Sequence, residues 1–197
     1  MGKEIKSALE IAMEKVEKLG EATEEERLRW KYLPEGEKLA TRYLKQDINL
    51  LAELGKYEEK ARSYVAQGAQ EILIRNIDLP RNEAARRSNK KAMDGLKVLK
   101  NDKVSVENVY SRIRRIFEHY AEQGEQQRRQ AYESLKAEVE ARIEQALRQQ
   151  LGPLAGVRID VESQPQFQEE WRRVLAQLDA QYIKLLDEYK HELAAIP

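Results

Sequence analysis

The chain has 197 residues, contains no cysteine, and balances 35 basic side chains against 35 acidic ones. The absence of cysteine excludes a disulfide framework, a thiol nucleophile and a cysteine-ligated zinc site. Charged residues make up 36% of the chain, against about 25% in average globular domains, and this composition is typical of long helices and coiled coils.

The N-terminal third of the sequence carries a helical apolar period. Thr23 and Glu26 form a capping box that begins a helix, and Pro34 with Gly36 is expected to kink or break it. From about residue 35 to residue 75 the period continues and predicts one helix of roughly forty residues. A shorter helix is expected before Thr23, over about residues 3–19. Its 4-3-4-3 coiled-coil seam consists of Ile5, Leu9, Ala12, Val16 and Leu19.

A basic segment follows Pro80. The stretch 81–115 holds eleven basic and four acidic side chains, a net charge of +7, whereas residues 116–197 have a net charge of −5. Pairing of these two stretches, within or between subunits, would explain both without a ligand. The alternative is a site for nucleic acid or another polyanion. Its candidate residues are Arg81, Arg86, Arg87, Lys90, Lys91, Lys97 and Lys100.

The C-terminal half predicts a second long helix over about residues 106–151. Beyond Gly152, the alternation of Val157, Ile159 and Val161 with charged residues predicts at most one short strand, at about 157–161, or else an extended linker within 152–163. Pro165 suits the first turn of a last helix. That helix carries the most regular heptad in the chain, which is the predicted interface: Trp171, Leu175, Leu178, Tyr182, Leu185 and Tyr189.

Motifs that carry chemistry are not evident. Glu188 and His191 have the Glu-x-x-His spacing of di-iron bundles, but Ile116 stands three residues before the only other histidine, His119. Glycines occur singly rather than in a phosphate-binding loop. We therefore expect no metal, no cofactor and no catalytic residue.

These patterns predict an all-α fold: an elongated helical bundle or coiled coil with two long helices. We expect one elongated domain, with a sub-boundary near residues 79–81. Helices of forty residues are about 60 Å long, too long for one chain of this size to cover, so a homodimer is predicted. The function that follows is that of a structural or adaptor protein acting through helix-mediated contact with itself or another protein. No apolar run is long enough to span a membrane, and we expect a cytoplasmic location.

Overall fold

A computed structural model of the chain describes residues 22–151 and 160–197. The described residues form six helices and no strand, which confirms the predicted all-α class. The helices are α1 (Glu24–Lys45), α2 (Leu50–Leu54), α3 (Glu59–Arg75), α4 (Glu83–Leu99), α5 (Lys103–Leu151) and α6 (Pro165–Ala195). None of these helices combines the length and the hydropathy that a membrane span requires.

Helix α1 begins at the predicted capping box. The Thr23 hydroxyl accepts a hydrogen bond from the Glu26 amide at 3.2 Å, and the Glu26 carboxylate accepts one from the Thr23 amide at 2.9 Å. The helix then continues through Pro34, so the expected break there is wrong. Proline removes the hydrogen bond to the carbonyl four residues earlier, on Trp30, and its ring crowds that carbonyl. Both Pro34 and Trp30 are exposed, so water can bind that carbonyl.

The single long helix predicted over 35–75 is also wrong, because α1, α2 and α3 occupy that range. Asn49 begins α2 with a side-chain oxygen that accepts from the Ala52 amide at 3.1 Å, and Gly55 ends it. The apolar period persists across these breaks because Leu50 and Leu54 are buried alongside residues of α3. The other long helix is confirmed, since α5 has 49 residues.

Helices α1 and α3 cross with their backbones in contact. A Cβ atom at Gly36 would lie 2.0 Å from the Val65 carbonyl oxygen, and one at Gly68 would lie 2.1 Å from the Leu33 carbonyl oxygen. Only glycine allows so close an approach. Around the crossing lie the buried residues Leu39, Ala40, Ala61, Val65, Ala69 and Leu73.

The predicted strand at 157–161 and the predicted N-terminal helix at 3–19 fall largely or wholly outside the described residues. Asp160 and Val161, the described end of the strand, are not in a strand. The described residues divide into two compact units. Unit 1 contains residues 22–77, 90–103 and 196–197, and unit 2 contains residues 78–89, 104–151 and 160–195.

Candidate functional site

A groove with a volume of about 510 Å³ lies between α5 and α6 in unit 2. None of its eight described lining residues is Asp, Glu, Lys or Arg, although charged residues make up 36% of the chain and roughly three would be expected. The groove is thus a neutral surface within a highly charged protein. Its lining consists of Ile116, Leu178 and Leu185, together with the uncharged polar residues His119, Gln127, Gln177, Gln181 and Tyr182.

The groove opens where α6 changes the side that it buries. Near its start, α6 buries Phe167 against Leu135 and Val139 of α5, with Trp171 packed on the same cluster. Further along, α6 buries Leu186 instead. Phe167 and Leu186 are 19 positions apart, which is about 100° around a helix. Beside this turn of the buried side, Leu178 is half-buried and Leu185 is 43% exposed.

An ion pair links the same two helices beside the Phe167 cluster. Arg142 of α5 donates to the Glu170 carboxylate of α6 at 3.1 Å. The hydrogen bond from Arg142 and its positive charge hold the pKa of Glu170 below its ordinary value, against the smaller opposing effect of burial. The interaction is exposed, so its contribution to stability is small.

A polar contact between α5 and α6, called here the polar waist, lies between the levels of Phe167 and Leu186 on α6. Its central residues are two tyrosines, Tyr120 and Tyr182. The Tyr120 and Tyr182 rings meet edge to face, with centroids 5.1 Å apart. The Arg128 guanidinium lies 4.1 Å from the Tyr120 ring centre. A Cβ atom at Gly124 would lie 3.2 Å from the Tyr182 hydroxyl, so the buried glycine leaves room for that group. The hydroxyl also lies 2.9 Å from Nδ1 of His119.

The waist also contains a buried acid, Asp179, which is 7% exposed. Arg81 donates to it at 3.1 Å and to Asp78 at 2.9 Å. Burial alone would lower the pKa of Arg81, but the hydrogen bond that Arg81 donates to Asp179 and the charges of Asp78 and Asp179 raise it. Burial, followed by the charge of Asp179, raises the pKa of Tyr120. Losing Arg81 would therefore leave a buried charge uncompensated.

Sequence reasoning did not single out Asp179 or Arg128. An aspartate beside a heptad leucine ordinarily faces water, so the pattern around Asp179 gave no signal. The stretch 121–130, which offers almost nothing apolar, was the one available sign that α5 makes a polar contact at its middle.

The six predicted interface residues divide into two groups. Leu178, Tyr182 and Leu185 line the groove. The other three are not part of the groove lining: Trp171 meets the Tyr132 ring edge to face at 5.1 Å, Tyr189 lies under the Arg112 guanidinium at 4.6 Å, and Leu175 is half-buried. The structure therefore places only the middle of the predicted interface in the groove.

Most of the seven basic candidates have contacts within the chain. Arg86, like Arg81, forms an ion pair, with Glu83 at 2.8 Å. Lys91 donates to the Gln46 carbonyl at 2.8 Å. Lys100 is 2% exposed and donates to the Ile196 carbonyl, and burial lowers its pKa.

The remaining three basic candidates, Arg87, Lys90 and Lys97, are exposed on α4. Arg87 and Lys90 form no ion pair with any residue that the structure describes. Lys100 is buried and Arg81 is paired with Asp179, so neither of these two side chains is free to bind a polyanion.

Neither histidine lies in a metal-binding cluster among the described residues. His119 bonds to Tyr182 across the helix pair, and His191 and Glu188 are exposed near the end of α6. The lining of the groove presents amide, hydroxyl and apolar groups.

Residues 51–195 match the profile of a family of unknown function, DUF6657. The match covers about three quarters of the sequence. The chain belongs to the DUF6657 family. All of α3 to α6 lies within the matched part of this DUF6657 protein, and so do the groove and the polar waist. No curated protein and no solved structure matches the chain.

Proposed function

We propose that this DUF6657 protein is a structural or adaptor protein, without catalytic activity, that acts through helix-mediated contact. We further propose that it assembles as a homodimer through the groove between α5 and α6. The observation that carries the proposal is the neutral lining of that groove, centred on Leu178, Tyr182 and Leu185. The cysteine-free composition suits a reducing compartment, and from it we infer a cytoplasmic location.

The energetics of the groove favour a protein partner. Leu185 is 43% exposed, and fully burying a leucine is worth about 1.5–3 kcal/mol relative to full exposure. Covering the groove removes no ionised side chain of its lining from water, so the desolvation cost stays low. Uncharged glutamines at the edge can donate and accept hydrogen bonds to a neighbouring helix. Apolar centres with a polar rim are the usual anatomy of a protein interface.

Light scattering on a Leu185→Glu variant tests the proposal. The wild-type protein at micromolar concentration is expected at twice the 23.0 kDa mass of the chain. The variant places a charge in a neutral groove and loses apolar burial. If these changes weaken the dimer by about 2 kcal/mol, its dissociation constant should rise roughly thirtyfold.

Leu51→Glu provides the matched control, because Leu51 is 59% exposed and lies on α2 of unit 1. This variant should keep the wild-type mass, and circular dichroism should show both variants folded. A wild-type mass of 23.0 kDa, or equal dissociation by both variants, would count against the groove as the contact surface.

A nucleic-acid or polyanion partner is the second candidate. Exposed Arg87 and Lys90, without ion pairs among the described residues, support it. Two such contacts would make log affinity fall with log salt concentration with a slope of about −2 on duplex DNA. Two phosphate contacts are too few for specific binding by this segment alone.

A further inference from the structure

We infer that the groove binds α6 of a second copy of this chain, running antiparallel, with the two-fold axis beside Gln181. This inference rests on the proposed function, since it assigns the partner and its direction in the same groove. Three features carry it: the chemistry of the lining, the position of the groove along α6, and the charges that continue beyond the groove.

The lining chemistry is self-complementary. A two-fold interface presents the same patch from both subunits, so each group meets another group of that same patch. A patch dominated by one charge sign would repel its copy. Glutamine avoids this conflict because its side-chain amide both donates and accepts. Gln181, which lies beside the axis, can therefore bond to its own copy, while Leu178 and Leu185 supply apolar contact.

The position of the groove fixes the axis. The lining residues of α6 run from Gln177 to Leu185, a length of about 12 Å at 1.5 Å per residue. Gln181 is the midpoint of that span. In an antiparallel pair centred there, contacting residues have numbers that sum to about 362, twice 181. Gln177 then lies opposite Leu185 of the partner subunit.

The charges beyond the groove decide the direction. Gln177, Gln181, Lys184 and Glu188 follow one another at helical spacings of 4, 3 and 4 along α6, and both charged members are exposed. A parallel, in-register pair would place each charge against its own copy, which is destabilising. The antiparallel pair instead brings Glu188 to the level of Val174 of the partner subunit, one residue from Arg173 of the partner subunit, and brings Lys184 to the level of Leu178.

Cysteine cross-linking tests this geometry cleanly, because the natural chain contains no cysteine. A disulfide requires Cα atoms about 4.4–6.8 Å apart, so a single cysteine can bond to its own copy only beside the axis. Under mild oxidation, full-length Gln181→Cys should form a covalent dimer at least about fivefold faster than Glu188→Cys. A mixture of Gln177→Cys and Lys184→Cys should cross-link faster than either variant alone.

The outcomes separate this inference from the proposed homodimer. Light scattering of the wild-type protein and of each reduced variant gives the oligomeric state independently of any disulfide. A dimeric mass with rapid Gln181→Cys cross-linking supports the antiparallel pair. A dimeric mass with Glu188→Cys cross-linking as fast as Gln181→Cys overturns it and leaves the homodimer standing. A monomeric wild-type protein overturns both.

Discussion

Replacing Gly68 with alanine should destabilise unit 1, because the crossing of α1 and α3 has no room for a side chain. The added Cβ atom would lie 2.1 Å from the Leu33 carbonyl oxygen, where ordinary van der Waals contact begins at 3.4 Å. The obstacle is backbone, so no side-chain rotation relieves the clash. The two helices must separate locally by about 1.3 Å, the difference between these distances.

The cost of that separation can be set against the gain from alanine. A gap of 0.5–1 Å removes a quarter to a half of the dispersion energy of the atoms that face it. Overpacking of this kind costs about 1–3 kcal/mol, and the unyielding backbone favours the upper end. Alanine regains about 1 kcal/mol through its helix propensity. The net loss should be roughly 2 kcal/mol.

Urea denaturation followed by circular dichroism measures this loss, and Gly55→Ala is the matched control. A Cβ atom at Gly55 would lie 3.4 Å from its nearest neighbour, the Leu51 carbonyl oxygen, and the backbone there has a φ of −62°. The control should be neutral or slightly stabilising, by up to about 1 kcal/mol. If Gly68→Ala proved as stable as the control, the backbone contact between α1 and α3 would be refuted.

Three further outcomes are expected. Trp171→Ala should lower the unfolding free energy by about 2 kcal/mol, since half-buried Trp171 contributes to an apolar cluster. Trp30 is exposed, so Trp30→Ala should lower it by under about 1 kcal/mol; urea titrations of the two variants measure this difference. The pKa of Glu170 is lower in the folded state than its ordinary value of 4.5, so its ionised form stabilises the fold above pH 4.5, and this stability is lost on acidification through the folded-state pKa. The melting temperature of Glu170→Gln should therefore fall less on acidification below pH 5 than that of the wild type. Gel shifts at about 0.1 M salt should show no duplex DNA binding; a complex abolished by Arg87→Gln with Lys90→Gln would favour the polyanion alternative.

Helix boundaries with local chemical signals could be predicted from the sequence. Thr23 and Glu26 satisfy each other's backbone groups, and Pro165 begins α6 as expected. The breaks between α1 and α3 were missed because the apolar period runs through them. Asn49 and Gly55 did mark those breaks, but polar and glycine residues also occur singly within helices, so only the packed structure reveals their role.

Pro34 and Gly36 illustrate the opposite error. Together they resemble a helix stop, yet Pro34 lies on the exposed side of α1 and Gly36 makes the close contact with α3. The sequence does not record which glycine faces another helix. Tertiary packing therefore turned an apparent breaker into a contact residue.

The candidate site was only half visible for a similar reason. The heptad from Trp171 to Tyr189 was apparent in the sequence, and so was the scarcity of apolar residues at 121–130. That the two lie side by side, so that Leu178 and Leu185 line a groove, depends on how α5 and α6 pack against each other. A one-dimensional period cannot show which part of a stripe its own chain already covers.

Amide hydrogen exchange at two protein concentrations tests most directly whether self-association covers the groove. Peptides that span residues 177–185 of α6 should exchange more slowly at high micromolar than at low nanomolar concentration, because the partner covers them only in the dimer. Peptides from the exposed start of α1, at residues 24–31, should exchange equally at both. Equal exchange of the 177–185 peptides at both concentrations, with a dimeric mass at the higher one, would contradict the assignment of the groove as the contact surface.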